Sequence, residues 1–297
     1  MLKRIIPLRS RTVLQLEGPD AKPFLQKILT QDINKLSPQK ALYSAFLTPE
    51  GRYFSDFFIV ESDGSIYIDL LKEHLLPIAS EFHSYKMRMN LSFKDLTDKM
   101  YVFSVIGHGS ELEDFCLLPL EGTCQTVGQS FAFVDPRLQS LGLRVLTVPK
   151  TPFPIQNIPR GTEDDYRFFR TQLGVSEAPE ELIPGKSIIL HHGLQDLNAI
   201  AWDKGCYPGQ ELMVRTLYRG QINKRTFPAR IEGLSDLSQG ALLRFKEETV
   251  GEMLSNCGPI GITLIPPSLA QKCEERGDCL TTDLTKIFPH TMSWMKL

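Results

Sequence analysis

Apolar residues recur along this chain with two different periods, and the switches between them outline a fold. Alternation over Thr12–Leu16 predicts a strand. In the next segment, "GPDAKPFLQKILTQ", Phe24, Leu25, Ile28 and Leu29 fall at helical spacing behind Asp20, a residue type that caps helix N-termini. Residues 41–70 read as a β-meander broken at Pro49-Glu50-Gly51 and at Asp63-Gly64, the second a strong hairpin dipeptide. The run "LLKEHLLPIASEFHSYKMRM" returns to the helical period, with Pro77 at a boundary or a kink. From Leu91 to Val148, short strand-like runs alternate with Gly and Pro turns and enclose an acidic patch, "ELEDF". Residues 149–161 hold four prolines and read as a linker. "TEDDYRFFRTQLG" reads as a helix capped by Thr162, acidic in its first turn and stopped at Gly174. After a loop-rich stretch, the segments from Leu212 onward, "LMVRTLYRGQINKRTFPARIEG", "GALLRFKEETVGEML" and "PIGITLIPPSLA", predict successive strands of a small barrel or sandwich. The pattern is that of an α+β protein with a β-rich C-terminal module.

Composition narrows the function classes. A chain of 297 residues with 42% hydrophobic content can bury a sizeable core. Its net charge of −2 gives no global reason to bind nucleic acid or an acidic membrane surface. No apolar run reaches the roughly 18 residues of a membrane span. Six cysteines without a CxxC pair argue against a disulfide framework or a zinc site, and free thiols suit a reducing compartment. Lys3, Arg4, Arg9 and Arg11 hint at a transit peptide, but strand-like alternation begins at once and leaves no room for a removable leader. The expectation is a cytoplasmic, bacterial protein.

The chemistry concentrates in "DKGCYPGQE", residues 203–211. An ammonium at Lys204 favours a thiolate at Cys206, while Gly205 and Gly209 let the backbone turn tightly and approach a ligand. The plainer alternative for Cys206 is a small buried hydrophobe. No local signature marks any of the histidines at 74, 83, 108, 191, 192 and 290 as its partner base. Between Lys204 and Arg230 six basic residues, Arg215, Arg219, Lys224 and Arg225 among them, face one acid, Glu211. That tract suits a carboxylate-rich tail or a phosphate backbone, with Tyr218 and Phe227 available to stack, or else it is a solvated strand face. Asp56, inside an apolar run, is either hydrogen-bonded in a site or turned to solvent. Neither a phosphate-binding loop nor a dinucleotide fingerprint is present.

The string "KGCYPGQE" at Lys204–Glu211, continued by Arg215 and "RGQINKR", closely resembles the signature of the YgfZ family, the folate-binding branch of the superfamily that includes the glycine-cleavage T-protein, GcvT. "LEGPDAKPFLQKILTQDINKL", "TPEGRYFSDFFIV" and "YRFFRTQLG" are similar to further segments of that family. The resemblance implies a GcvT/YgfZ-like α+β fold with three subdomains around a central opening: 1–95, 96–211 including the signature loop, and a C-terminal β-barrel over 212–297. It implies tetrahydrofolate as the cofactor, and iron-sulfur assembly or client proteins, tRNA-thiolating enzymes included, as the partners. Cys206 becomes the functional thiol, with Lys204 polarising it or binding folate. Asp56, Gln172, Tyr207, Gln210, Glu211, Arg215 and Arg219 become candidate folate contacts. Two departures stand out. Gln172 replaces a pterin-binding glutamate found in T-proteins, and Ser55-Asp56 replaces an acidic pair. A complete catalytic set is therefore not demonstrable. The alternatives are a folate-dependent aminomethyl or one-carbon transferase, and an RNA-binding module using residues 204–230, which lacks the aromatic array single strands need. Metal ligation, membrane binding and direct nucleic-acid binding are not expected.

Overall fold

Residues 3–107, 120–149, 158–218, 222–233, 237–282 and 285–296 are described by a computed structural model. The acidic patch, most of the linker and Arg219 lie outside these residues. The chain divides into two units, Met1–Tyr166 with Leu197–Gln210, and Arg167–Asp196 with Glu211–Leu297.

The first unit contains two antiparallel five-stranded sheets. Its strands in chain order are β1 (Arg4–Pro7), β2 (Arg11–Glu17), β3 (Leu42–Leu47), β4 (Tyr53–Ser62), β5 (Ser65–Leu71), β6 (Ser92–Asp95), β7 (Tyr101–Ile106), β8 (Cys124–Val127), β9 (Ser130–Val134) and β10 (Leu143–Thr147). One sheet has the order β3-β4-β5-β2-β6 and the other β1-β7-β10-β9-β8. Helices α1 (Ala21–Ile28) and α2 (Leu75–Lys86) supply Phe24, Leu25, Ile78 and Phe82 to a core completed by Leu14, Phe57, Ile59 and Ile68 of the first sheet. Strand β4 is buried on both faces because its alternate residues meet the second sheet, as in the Phe58–Phe133 contact at 6.5 Å.

Between the sheets lies a buried ionic network. Arg144 Nη1 donates to Asp69 Oδ2 at 2.9 Å, its Nε to Asp135 Oδ2 at 3.3 Å and its Nη2 to the Tyr166 hydroxyl at 2.8 Å. Arg11 Nε pairs with Asp69 at 2.5 Å, and Arg137 Nη2 with Asp135 at 2.8 Å. The Arg144 guanidinium stacks 3.6 Å from the Phe58 ring centroid, so a planar cation is bonded at its edge and covered on its face.

The second unit carries a closed barrel of β11 (Arg225–Glu232), β12 (Leu242–Phe245), β13 (Glu248–Cys257), β14 (Ile260–Ile265), β15 (Leu280–Thr282) and β16 (Thr285–Pro289), in the order β11-β14-β13-β12-β15-β16. Phe227, Met253, Ile265 and Ile287 fill it.

Among the described residues the further α-helices are α3 (Glu163–Gln172), α4 (Gln210–Tyr218) and α5 (Pro267–Arg276). Thr162 caps α3 as expected: Asp165 N donates to its Oγ1, and Thr162 N donates to Asp165 Oδ2. Asp20 makes no side-chain cap to α1, and its carboxylate instead accepts from Asn90 N at 2.6 Å. Pro77 causes no break, because it sits in the first turn of α2, where amides lack intrahelical acceptors anyway. Two strand expectations are corrected. Residues 210–218 form α4, whose Met213 is fully buried. Residues 267–276 form α5, with Pro267 at its first position and Ala270 and Cys273 one helical turn apart in the core.

Candidate functional site

The approach to the signature loop is anchored in the first unit on the segment after α1. Thr30 Oγ1 donates to the Ala199 carbonyl at 2.7 Å, Gln31 Nε2 to the Asn198 carbonyl at 2.5 Å, and Ala201 N to the Thr30 carbonyl at 3.0 Å. Lys204 continues this seam. Its ammonium donates to the carbonyls of Leu29 at 2.6 Å and Gln31 at 2.8 Å, and lies 5.4 Å from the Tyr207 ring centroid. Burial lowers the Lys204 pKa to about 8, with the Asp32 carboxylate pulling the other way. The signature lysine is thus a strut that holds the loop against residues 29–31.

Cys206 stands exposed on the loop so held. The buried-hydrophobe alternative therefore fails, and the thiol is open to a macromolecular surface. The two neighbouring glycines differ. Around Gly205 an added Cβ meets nothing within 4 Å. Gly209 has φ +78, and a Cβ there would lie 2.5 Å from the Thr48 carbonyl oxygen and 2.8 Å from Gly51 Cα in the β3–β4 turn. The close approach that Gly209 permits is to protein backbone. Gly209→Ala is expected to cost about 1 to 3 kcal/mol and to speed amide exchange at Cys206 and Tyr207. Gly205→Ala should leave both unchanged. Equal protection in the two variants would refute the packing role of Gly209.

Tyr207 is buried, its hydroxyl has no hydrogen-bond partner among the described residues, and burial pushes its pKa up to about 12. Gln210 opens α4. Asp56, 3% exposed, is neither turned to solvent nor free. Its Oδ1 accepts from the Tyr53 hydroxyl at 2.6 Å and its Oδ2 from the Tyr43 hydroxyl at 3.1 Å. Burial and the adjacent Asp56 charge hold the Tyr53 phenol well above its ordinary pKa, so it remains a donor. Next to Asp56, Ser55 Oγ lies 3.0 Å from His74 Nδ1.

The other sequence-derived candidates belong to the second unit. Gln172 ends α3, and its Oε1 is buried without a partner among the described residues. Glu211 and Arg215 form an exposed i,i+4 pair at 2.8 Å on α4. The basic tract is largely spent on protein contacts. Arg225 is buried against Asp196, and Arg230 pairs with Glu232. Sequence reasoning missed Thr30, Gln31, Tyr43 and Tyr53. The first two stand in "LTQD", where nothing local marks a side chain that bonds a carbonyl nearly 170 positions away.

No protein-family model matches the chain. It is 30% identical over 284 residues to the human mitochondrial iron-sulfur cluster assembly factor IBA57, covering 87% of this chain and 76% of that protein. The mouse counterpart is 28% identical over 285 residues with the same coverage, and the homologue from Cryptococcus neoformans 27% identical over 289 residues, covering 89% and 76%. These relatives are mitochondrial proteins, which overturns the cytoplasmic expectation. Among solved structures, the glycine cleavage system aminomethyltransferase T from Bartonella henselae matches with a TM-score of 0.72 at 14% identity, covering 99% of this chain and 86% of that one. The fold is therefore that of the GcvT aminomethyltransferases.

Proposed function

The chain belongs to the IBA57 family of iron-sulfur cluster assembly factors, relatives of the YgfZ group that its signature loop resembles, and from that premise we propose that it supports assembly or repair of iron-sulfur clusters. The observation that carries the reading is the exposed Cys206 thiol on a loop pinned by the Lys204 strut and the Gly209 packing contact. A thiol presented in this way meets a partner protein without a rearrangement of its own backbone, and sulfur is the donor that iron-sulfur chemistry selects. Cluster enzymes, including those that thiolate tRNA, are the clients this reading implies.

Tetrahydrofolate is the small molecule we assign to the same protein. Support comes from a buried polar atom of the first unit among the candidate folate contacts, the Tyr207 hydroxyl, which has no partner among the described residues. It can donate or accept a hydrogen bond, which suits the mixed donors and acceptors of a pterin. Aminomethyl transfer is not favoured. Asp56 is buried with each oxygen accepting from a tyrosine hydroxyl, and with Ser55 beside it the position holds one carboxylate where the T-protein resemblance implies two.

Anaerobic calorimetric titration with tetrahydrofolate, monitored in parallel by fluorescence of the 40%-exposed Trp202, tests the folate assignment. Saturable one-to-one binding with quenching is expected, and Tyr207→Phe should weaken it roughly five- to tenfold through loss of one hydrogen bond. Absence of saturable binding would exclude tetrahydrofolate as the ligand and leave the Cys206 reading to stand or fall on its own test.

A further inference from the structure

A cavity of about 780 Å³ opens in the first unit against β1, the start of β2, and the segments around β7 and after β10. None of the candidate folate contacts or signature-loop residues lines it. Its size falls in the range of about 300 to 1,000 Å³ typical of small-molecule sites.

The chemistry of its wall is asymmetric. Arg9, Arg11, Lys72 and Arg160 contribute four cations against one acid, Asp98, in a chain whose net charge is −2. Arg11 is committed to Asp69, whereas Arg9, Lys72 and Arg160 are exposed and have no ion-pair partner among the described residues. The rest of the wall mixes three threonines, Thr12, Thr97 and Thr147, with apolar side chains, the buried Leu8 and Val102 among them, and Tyr101, 44% exposed, presents a ring. A bare inorganic anion would satisfy the cations and leave most of this volume and its apolar wall in water. A neutral apolar ligand would leave the cations unused. The combination fits a compact, doubly charged head joined to a flat body. A phosphate monoester carries close to two charges at neutral pH and offers guanidinium groups paired oxygens, whereas a single carboxylate carries one charge.

We propose that this cavity binds an aromatic phosphate monoester of nucleotide size, its phosphate held by Arg9, Lys72 and Arg160 and its ring lying on Tyr101 and the apolar part of the wall. The assignment is independent of the folate reading, since the two share no residue.

AMP serves as the probe, with adenosine and inorganic phosphate as its separated halves. Equilibrium dialysis of the full chain is expected to show saturable one-to-one AMP binding at least tenfold tighter than either half. Arg9→Glu and Arg160→Glu should each weaken AMP by about tenfold or more, and Tyr101→Ala by roughly threefold or more. Lys94→Glu, an equal charge reversal on exposed β6, should leave it unchanged. The proposal is overturned if AMP does not saturate, if phosphate alone binds as tightly as AMP, or if both cavity reversals bind AMP like the parent chain. None of these results bears on tetrahydrofolate binding.

Discussion

Cys206→Ser is expected to fold like the parent chain and to fail completely in restoring iron-sulfur enzyme activity to cells that lack the equivalent factor. The first half follows from exposure. A side chain standing in solvent contributes little packing, so the change in stability should stay within about 0.5 kcal/mol. The second half follows from chemistry. A serine hydroxyl keeps the approximate size of the position but lacks the soft sulfur that binds iron and exchanges with other thiols. Thermal unfolding and rescue, measured on the same variant, separate the two. Rescue equal to that of the parent chain would remove the thiol from the function, whereas a large loss of melting temperature would mean that the cysteine is structural after all.

Arg144→Met should produce the opposite pattern, a loss of about 3 to 5 kcal/mol in stability whatever happens at the signature loop. The guanidinium bonds Asp69 on β5, Asp135 after β9 and the Tyr166 hydroxyl, and it covers Phe58 on β4. Removing it leaves two buried carboxylates to share the remaining arginines, Arg11 and Arg137, and opens a void beside Phe58. Arg144→Lys should recover only part of the loss, because an ammonium cannot present the planar fork that meets three acceptors at once. Adding Asp69→Asn to Arg144→Met removes one of the uncompensated charges, so the double variant is expected to lose less than the sum of the singles. Denaturant titration of the four proteins supplies the cycle, and strict additivity would show that the two side chains are energetically independent.

The sequence and the structure agree where short-range pattern determines the outcome. The alternation of β2, the Asp63-Gly64 hairpin, the Thr162 cap and the amphipathic α1 are each legible because period and turn chemistry act over a few residues. The errors have a common origin. In "LMVRTLYRG", Met213 and Leu217 fit a helical face as well as they fit alternation, and only burial of Met213 distinguishes the two. The candidate site was legible through its composition: Cys206 and Gly209 are unusual enough in their setting to be found. Lys204 was also found, but its task was hidden, because both acceptors are carbonyls more than 170 positions earlier. Asp56 shows the same limit. That it is buried and accepts from the hydroxyls of Tyr43 and Tyr53 depends on how β3 and β4 pair and are covered, which has no signature near residue 56.

The division of the chain has a consequence for biosynthesis. Residues 197–210, which complete the first unit, are separated from its first 166 residues by a stretch that belongs to the second. A growing chain leaves the ribosome N-terminus first, so both sheets and the buried arginine network can form while the carbonyls of Leu29, Thr30 and Gln31 still lack the partners that Lys204 and Ala201 will bring. Cys206 is thus among the last parts of its unit to be seated. A nascent polypeptide released before residue 204 can have both sheets folded yet lack Cys206, so translation itself delays the appearance of that thiol until its scaffold is already in place.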